Sequence, residues 1–429
     1  MSNKFLAFLG TNDYIECNYY LDSSQIIKNC RFVQLALAQL ICRNWSENDY
    51  VIVFTTNEAK TTNWKTPNKF NKPGLEKILN DIKPGCEIKQ VDIPEGKNLD
   101  EIWKIFEIIL DEIDDEDNIT FDVTHSFRSL PMLLMVILNY AKFLKNIQLD
   151  GIYYGAIESL GTLKDIKEMP LEKRNAPIFD LTPFVSLFNW TIGVERFLNT
   201  GDAVIISQLA NEKIKPIMIN SKGEDKNAKI VKGLVNSLSN FSKAVATCRS
   251  GEITKLVKNI KQKINEMQTS ESLIVQMKPI LDKIKEKFNN FSDNEDKNQL
   301  QAIQWCSRHK LIQQGFTLLQ EFIVSYICRK NSYNVSKLKD REFISTCLSV
   351  KGRDIPEQQW NEHLKKQKEK AEKIIEQLNK EVAEIYINIG QYRNDLNHAG
   401  CVQPHDFEKF VIELENFVSK VSSLINRER

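Results

Sequence analysis

Over its first 180 residues the chain alternates short, almost continuously apolar runs with amphipathic stretches, and few architectures accept that pattern. Strands are expected over residues 4–10, 50–54, 86–93, 119–123, 152–156 and 177–181. Between them, apolar spacing predicts helices over 23–45, 75–82, 99–113 and 132–144. Strands apolar at nearly every position need cover on both faces, and strands separated by helices are joined by crossovers. The expectation is a mostly parallel, doubly wound α/β (Rossmann-like) sheet.

Ligands of such sheets bind outside the carboxyl ends of the strands. Here those ends carry Gly10-Thr11-Asn12, Thr55-Thr56-Asn57, Thr124-His125-Ser126-Phe127-Arg128 and Tyr154-Gly155-Ala156. The third segment combines hydroxyls, Arg128 and the first amides of a helix, a set suited to phosphate. Helix capping by Thr124 and Ser129 is the plain alternative, but it needs neither His125 nor Arg128. The chain has no G-x-x-x-x-G-K-[ST] and no G-x-G-x-x-G, which disfavours a P-loop ATPase and a dinucleotide dehydrogenase.

After Thr182 strand signals largely end. Helices are expected over 184–198, 228–248, 253–267, 273–288, 311–329, 357–387, 381–400 and 406–425. The expected division is residues 1–182, a helical linking region 183–300 and a helical domain 301–429. Near the end, Arg393-Asn394-Asp395-Leu396-Asn397-His398 gathers a guanidinium, amides and an imidazole ahead of Gly400. At about 100° per residue, Asn394 and His398 stand one above the other and Arg393 lies beside them. An imidazole and a fixed guanidinium can exchange a proton and hold a phosphate, which phosphodiester cleavage requires. The plainer reading makes His398 a cation at a helix C-terminus and Arg393 part of a solvated face. Trp305, Arg308 and Glu321 are further candidates to approach the patch.

With 58 basic and 57 acidic residues among 429, the formal charge is +1, so a nucleic-acid surface must be a local patch. The mixed-sign run 365–370 reads as a solvated face. Nine dispersed cysteines without a Cys-x-x-Cys pair fit free thiols. His398, Cys401 and His405, with Cys306 and His309, lack paired-ligand spacing, so no metal is expected. No apolar stretch reaches the length of a membrane span and the first residues lack a basic leader, so a cytoplasmic protein without membrane contact is expected.

Taken together, Asp122-Val123-Thr124-His125-Ser126-Phe127-Arg128-Ser129-Leu130-Pro131, the loops at Gly10-Thr11 and Tyr154-Gly155-Ala156, and the late Arg393-Asn394 with His398 resemble one family. It is the CRISPR-associated ribonucleases of type III systems, which join a Rossmann-like CARF sensor to a helical HEPN nuclease. The resemblance implies a homodimer or higher even oligomer and a cyclic oligoadenylate activator, with the tetra-adenylate favoured. It further implies metal-independent cleavage of single-stranded RNA, with no cofactor. Arg393, Asn394 and His398 become the catalytic residues. Gly10, Thr11, Asn12, Thr55, Thr56, Asn57, Thr124, His125, Ser126, Arg128, Tyr154 and Gly155 become the ligand contacts. The alternative expectation is a non-catalytic sensor that regulates transcription or a protein partner.

Overall fold

The computed structural model describes residues 1–82, 85–125, 130–269, 277–401 and 404–427, with the side chains of 130, 131, 426 and 427 left out. They form two compact units, Met1–Ser186 and Leu187–Arg429.

The first unit is built on one eight-stranded sheet. Its strands are β1 (Asn3–Phe8), β2 (Cys17–Tyr20), β3 (Ile26–Cys30), β4 (Tyr50–Thr55), β5 (Glu87–Asp92), β6 (Asn118–Asp122), β7 (Gln148–Gly155) and β8 (Asn175–Asp180). Their order is β3-β2-β8-β7-β6-β1-β4-β5. β1 pairs in parallel with both β4 and β6. The antiparallel pairs are β2 with β3 and β7 with β8. Side chains of β1 alternate between two cores: Phe5 and Ala7 enter one, Leu6 and Phe8 the other. Helices Val33–Ile41 and Leu75–Ile82 cover the first face, Leu99–Asp111 and Leu130–Lys145 the second. The doubly wound sheet is therefore the observed fold.

Residues 23–45 depart from the expected single helix. Asp22 Oδ1 accepts from the Ser24 amide at 2.7 Å and makes a tight turn between β2 and β3. Asn29 takes a left-handed φ of 53°, and the helix begins only at Val33. The hairpin adds β2 in parallel to β8 at the far side of the sheet. Its signal was present as Tyr19-Tyr20 and Ile26-Ile27 around Asp22-Ser23-Ser24, but apolar residues over 26–41 also satisfy a helical period.

The second unit is all helical. One continuous core runs from Val194 to Ile425, joining helices before and after residue 300. At its centre Trp305 packs on Phe197, Phe241 and Phe288, with centroids 5.8, 4.9 and 5.5 Å away. Helices Val204–Asn220, Glu295–Arg308 and Leu338–Arg353 were not anticipated. The long helix expected over 357–387 is broken. Asn361 caps Glu362–Lys365, Lys368–Gln377 follows, and Asn379 caps Lys380–Asn397 by accepting from the amides of Glu381 and Val382. All nine cysteines are free, and among the described residues no helix is long and apolar enough to cross a membrane.

Phe121 on β6 is fully buried, 5.8 Å from the Phe8 ring. Phe121→Ala is expected to lower the stability of the first unit by about 3–5 kcal/mol, measured as a shifted urea midpoint of that unit's transition.

Candidate functional sites

β1 lies between β4 and β6, so successive crossovers leave it on opposite sides, and the crevice at the carboxyl ends of β1 and β6 is the topological switch point. The sequence candidates divide there into buried and exposed groups. Thr55 is fully buried, its hydroxyl accepting from Gln90 at 2.7 Å. Thr56 is nearly so and caps the following turn by accepting from the Ala59 amide at 3.2 Å. Thr11, Asn12 and Asn57 are exposed. Ser126 and Arg128 lie outside the described residues.

Thr124 and Gly155 are brought together: the Gly155 amide donates to Thr124 Oγ1 at 2.8 Å. A Cβ at Gly155 would stand 2.3 Å from Val33 Cγ2, so this position admits no side chain without movement. Tyr154 turns instead to Glu158, to which its hydroxyl donates, and burial with that carboxylate pushes the phenol up to about 12.

Beneath the rim is a polar network that sequence patterning missed. Asp122 is fully buried at the end of β6. Its Oδ1 accepts from the Thr124 amide and hydroxyl at 2.9 and 2.5 Å, while Oδ2 has no partner among the described residues. Burial raises this carboxyl to about 6. The His125 ring meets the Tyr14 ring edge-on at 4.5 Å, and burial lowers its pKa to about 4, so the imidazole is neutral at pH 7. The Tyr14 hydroxyl accepts from the Gly10 amide at 2.8 Å.

In the second unit, Arg393 lies on helix Lys380–Asn397. Its Nη1 donates to Gln320 Oε1 at 2.7 Å and stands 3.8 Å from Glu321 Oε1. Glu321 also pairs with Arg341, a residue that sequence reading missed. One carboxylate therefore faces two guanidiniums, leaving a net positive charge. Asn394 and His398 are exposed. His398 ends the helix, with its amide on the Asn394 carbonyl at 2.9 Å, and Ala399 and Gly400 follow with φ of 52° and 71°. Asp395 points inward, accepting from the amide and Nδ1 of His405 at 2.7 and 2.9 Å, which holds its carboxyl below the usual range. His405 also stacks on Tyr392 at 4.3 Å. Of the expected neighbours, Glu321 reaches Arg393, whereas Trp305 belongs to the aromatic core. Among the described residues no group of three His, Cys, Asp or Glu side chains is placed to hold a metal.

Residues 4–158 match the family model of the CARF domain of the CRISPR system endoribonuclease Csx1. Residues 4–158 are a CARF domain. The match ends beyond β7, so the CARF domain contains the switch-point crevice and its buried network. Residues 186–302 match the second domain of CRISPR-associated protein MJ1674. That protein, from Methanocaldococcus jannaschii, is 28% identical over 278 residues, which span 62% of this chain and 38% of the relative. A solved structure, Enterococcus italicus Csm6 bound to cyclic hexa-2'-fluoro-hexa-dAMP, aligns over 98% of this chain and 92% of its own at 14% identity and a TM-score of 0.46.

Asp122 and His125 of the CARF domain give opposite pH dependences. Unfolded, Asp122 loses its proton near pH 4; folded, only near 6, so its contribution to stability falls as pH rises through that window and is flat above. Unfolded, His125 gains a proton near 6.5; folded, only near 4, so its contribution falls as pH drops. Asp122→Asn removes the first effect alone. The variant is expected to gain up to about 3 kcal/mol on the wild type between pH 4 and 6, and nothing further above pH 7. Urea unfolding across pH reads this out, and parallel profiles for the two proteins would refute it.

Proposed function

We propose that the chain is a metal-independent endoribonuclease that cleaves single-stranded RNA and acts in the cytoplasm in type III CRISPR antiviral defence. Its CARF domain binds a cyclic oligoadenylate, the tetra-adenylate by preference, and binding switches on a HEPN-type site in residues 301–429. The observation that carries this reading is the end of helix Lys380–Asn397. Arg393 is held by Gln320 beside a shared carboxylate, while Asn394 and His398 on the same helix end are exposed.

Each chain supplies one Arg393 and one His398, half of what the chemistry uses. A homodimer, or a higher even oligomer, brings two such ends together across a two-fold axis. The 2′-hydroxyl of the RNA attacks the adjacent phosphorus, the bond from phosphorus to the 5′-oxygen breaks, and the departing oxygen takes a proton. Arg393 stabilises the crowded negative charge on the phosphorus oxygens, and His398 exchanges the proton. Asn394, one turn before His398, orients the ring or the phosphate. At the CARF rim, exposed Thr11 and Asn12, with Thr124, His125, Gly10 and Gly155, meet the activator. Ser126 and Arg128 complete that set from the sequence alone. The activator switches the nuclease only by favouring one dimer arrangement over another.

Incubation with labelled single-stranded RNA in EDTA, with and without cyclic tetra- and hexa-adenylate, tests the whole reading. Cleavage is expected only when one cyclic ligand is present; no cleavage with either removes the nuclease assignment. His398→Ala is expected to lower the rate by about 10²-fold or more with ligand affinity unchanged. Cutting by that variant at the wild-type rate would place the chemistry elsewhere.

A further inference from the structure

The loop that ends β1 is held by a side chain outside every segment expected to touch a ligand. Asn63 lies in the single π-turn Lys60–Trp64 after β4, and solvent does not reach it. Its amide donates to the carbonyls of Gly10 and Asn12, both at 2.8 Å. Those bonds use the two N–H groups an amide possesses. Asn63 Oδ1 accepts from Arg31 Nη2 at 3.2 Å, which fixes which end of the amide faces the loop. Arg31 in turn donates to the Pro73 carbonyl at 3.0 Å and stands 3.7 Å from Asp13, which Lys72 also reaches at 3.0 Å. With Tyr14 accepting from the Gly10 amide, the loop is tied at Gly10, Asn12 and Asp13, while the side chains of Thr11 and Asn12 remain exposed.

A short loop without such a clamp samples many conformations, and ordering it on binding subtracts from affinity. The geometry points to Asn63 as a positioning residue for ligand recognition: it holds Gly10-Thr11-Asn12 in the shape that meets the ligand, without touching the ligand itself. This rests on the reading of the CARF domain as the sensor of a cyclic oligoadenylate. Arg31, at the end of the β2–β3 hairpin, holds Asn63 in turn. The hairpin thus helps to build the crevice from a distance.

The test is calorimetric titration of the full chain with cyclic tetra-adenylate and cyclic hexa-adenylate. Asn63→Asp sets a carboxylate oxygen against two carbonyl oxygens in place of an NH2 group, and is expected to weaken binding about tenfold or more. Leu79→Ala, a truncation of a fully buried side chain in helix Leu75–Ile82, lowers the stability of the same unit but leaves the loop clamp alone. Its affinity is expected to stay within about twofold of the wild type. Arg31→Lys keeps a charge near Asp13 but lacks the fork that reaches Asn63, and is expected to show a smaller loss, about threefold to tenfold. Should Asn63→Asp not fold, the Arg31→Lys result decides. Wild-type affinity in the Asn63 variant, or equal weakening in Leu79→Ala, overturns the positioning role while the sensor reading stands. Failure of the wild type to bind either ligand overturns both.

Discussion

The fold of the first unit depends on the burial of β1 on both faces and along both edges. Phe5, Leu6 and Ala7 have no exposed surface, and parallel neighbours on each side take the strand's hydrogen bonds. A strand so enclosed can meet solvent only at its ends. Because the chain leaves it toward β4 and returns on the other side at β6, the crossovers cannot cover its carboxyl end. The polar loops collect there for that reason, and the hairpin inserted after β1 is carried away to the opposite edge beside β8.

The two units present their polar groups in opposite ways. In the CARF domain Asp122 is fully buried, with one carboxyl oxygen that has no partner among the described residues, and the neutral His125 ring lies against Tyr14. Burying a carboxyl costs stability, so Asp122 at the end of β6 marks a place where packing has yielded to another demand. In the helical unit the polar side chains stand at the end of one helix, and the buried Asp395 beneath them ties the following turn to His405. One site is shaped by desolvation, the other by where a helix stops.

Much of the architecture was legible in the sequence because period-two and period-3.6 patterns are strong where elements are long and buried. Six of the eight strands could be read directly, and so could helix Lys380–Asn397 with its closing Gly400. What failed were short elements with mixed signals. The hairpin at Cys17–Cys30 was absorbed into a helical pattern, and three helices of the second unit carry periodicity too weak to separate from their connections. In the candidate sites, sequence located residues but not directions. Thr55 and Thr56 share the rim segment with Asn57, yet both side chains turn inward. Asn63, Arg31, Gln320 and Arg341 matter through contacts with residues 18–73 positions away, which no local pattern encodes.

The match to a separate second domain ends at residue 302, inside helix Glu295–Arg308, whereas the core it belongs to does not end there. Trp305 is the far wall of a cluster whose other walls are Phe197, Phe241 and Phe288. Close-packed interiors are stiff and compress little, so a displacement at one side of such a cluster is passed on rather than absorbed. Within the second unit, the helices before and after residue 300 are therefore coupled through one packed core. A chain cut after residue 302 would lose Trp305 from that cluster, and the exposed ring faces would make the fragment prone to stick to itself.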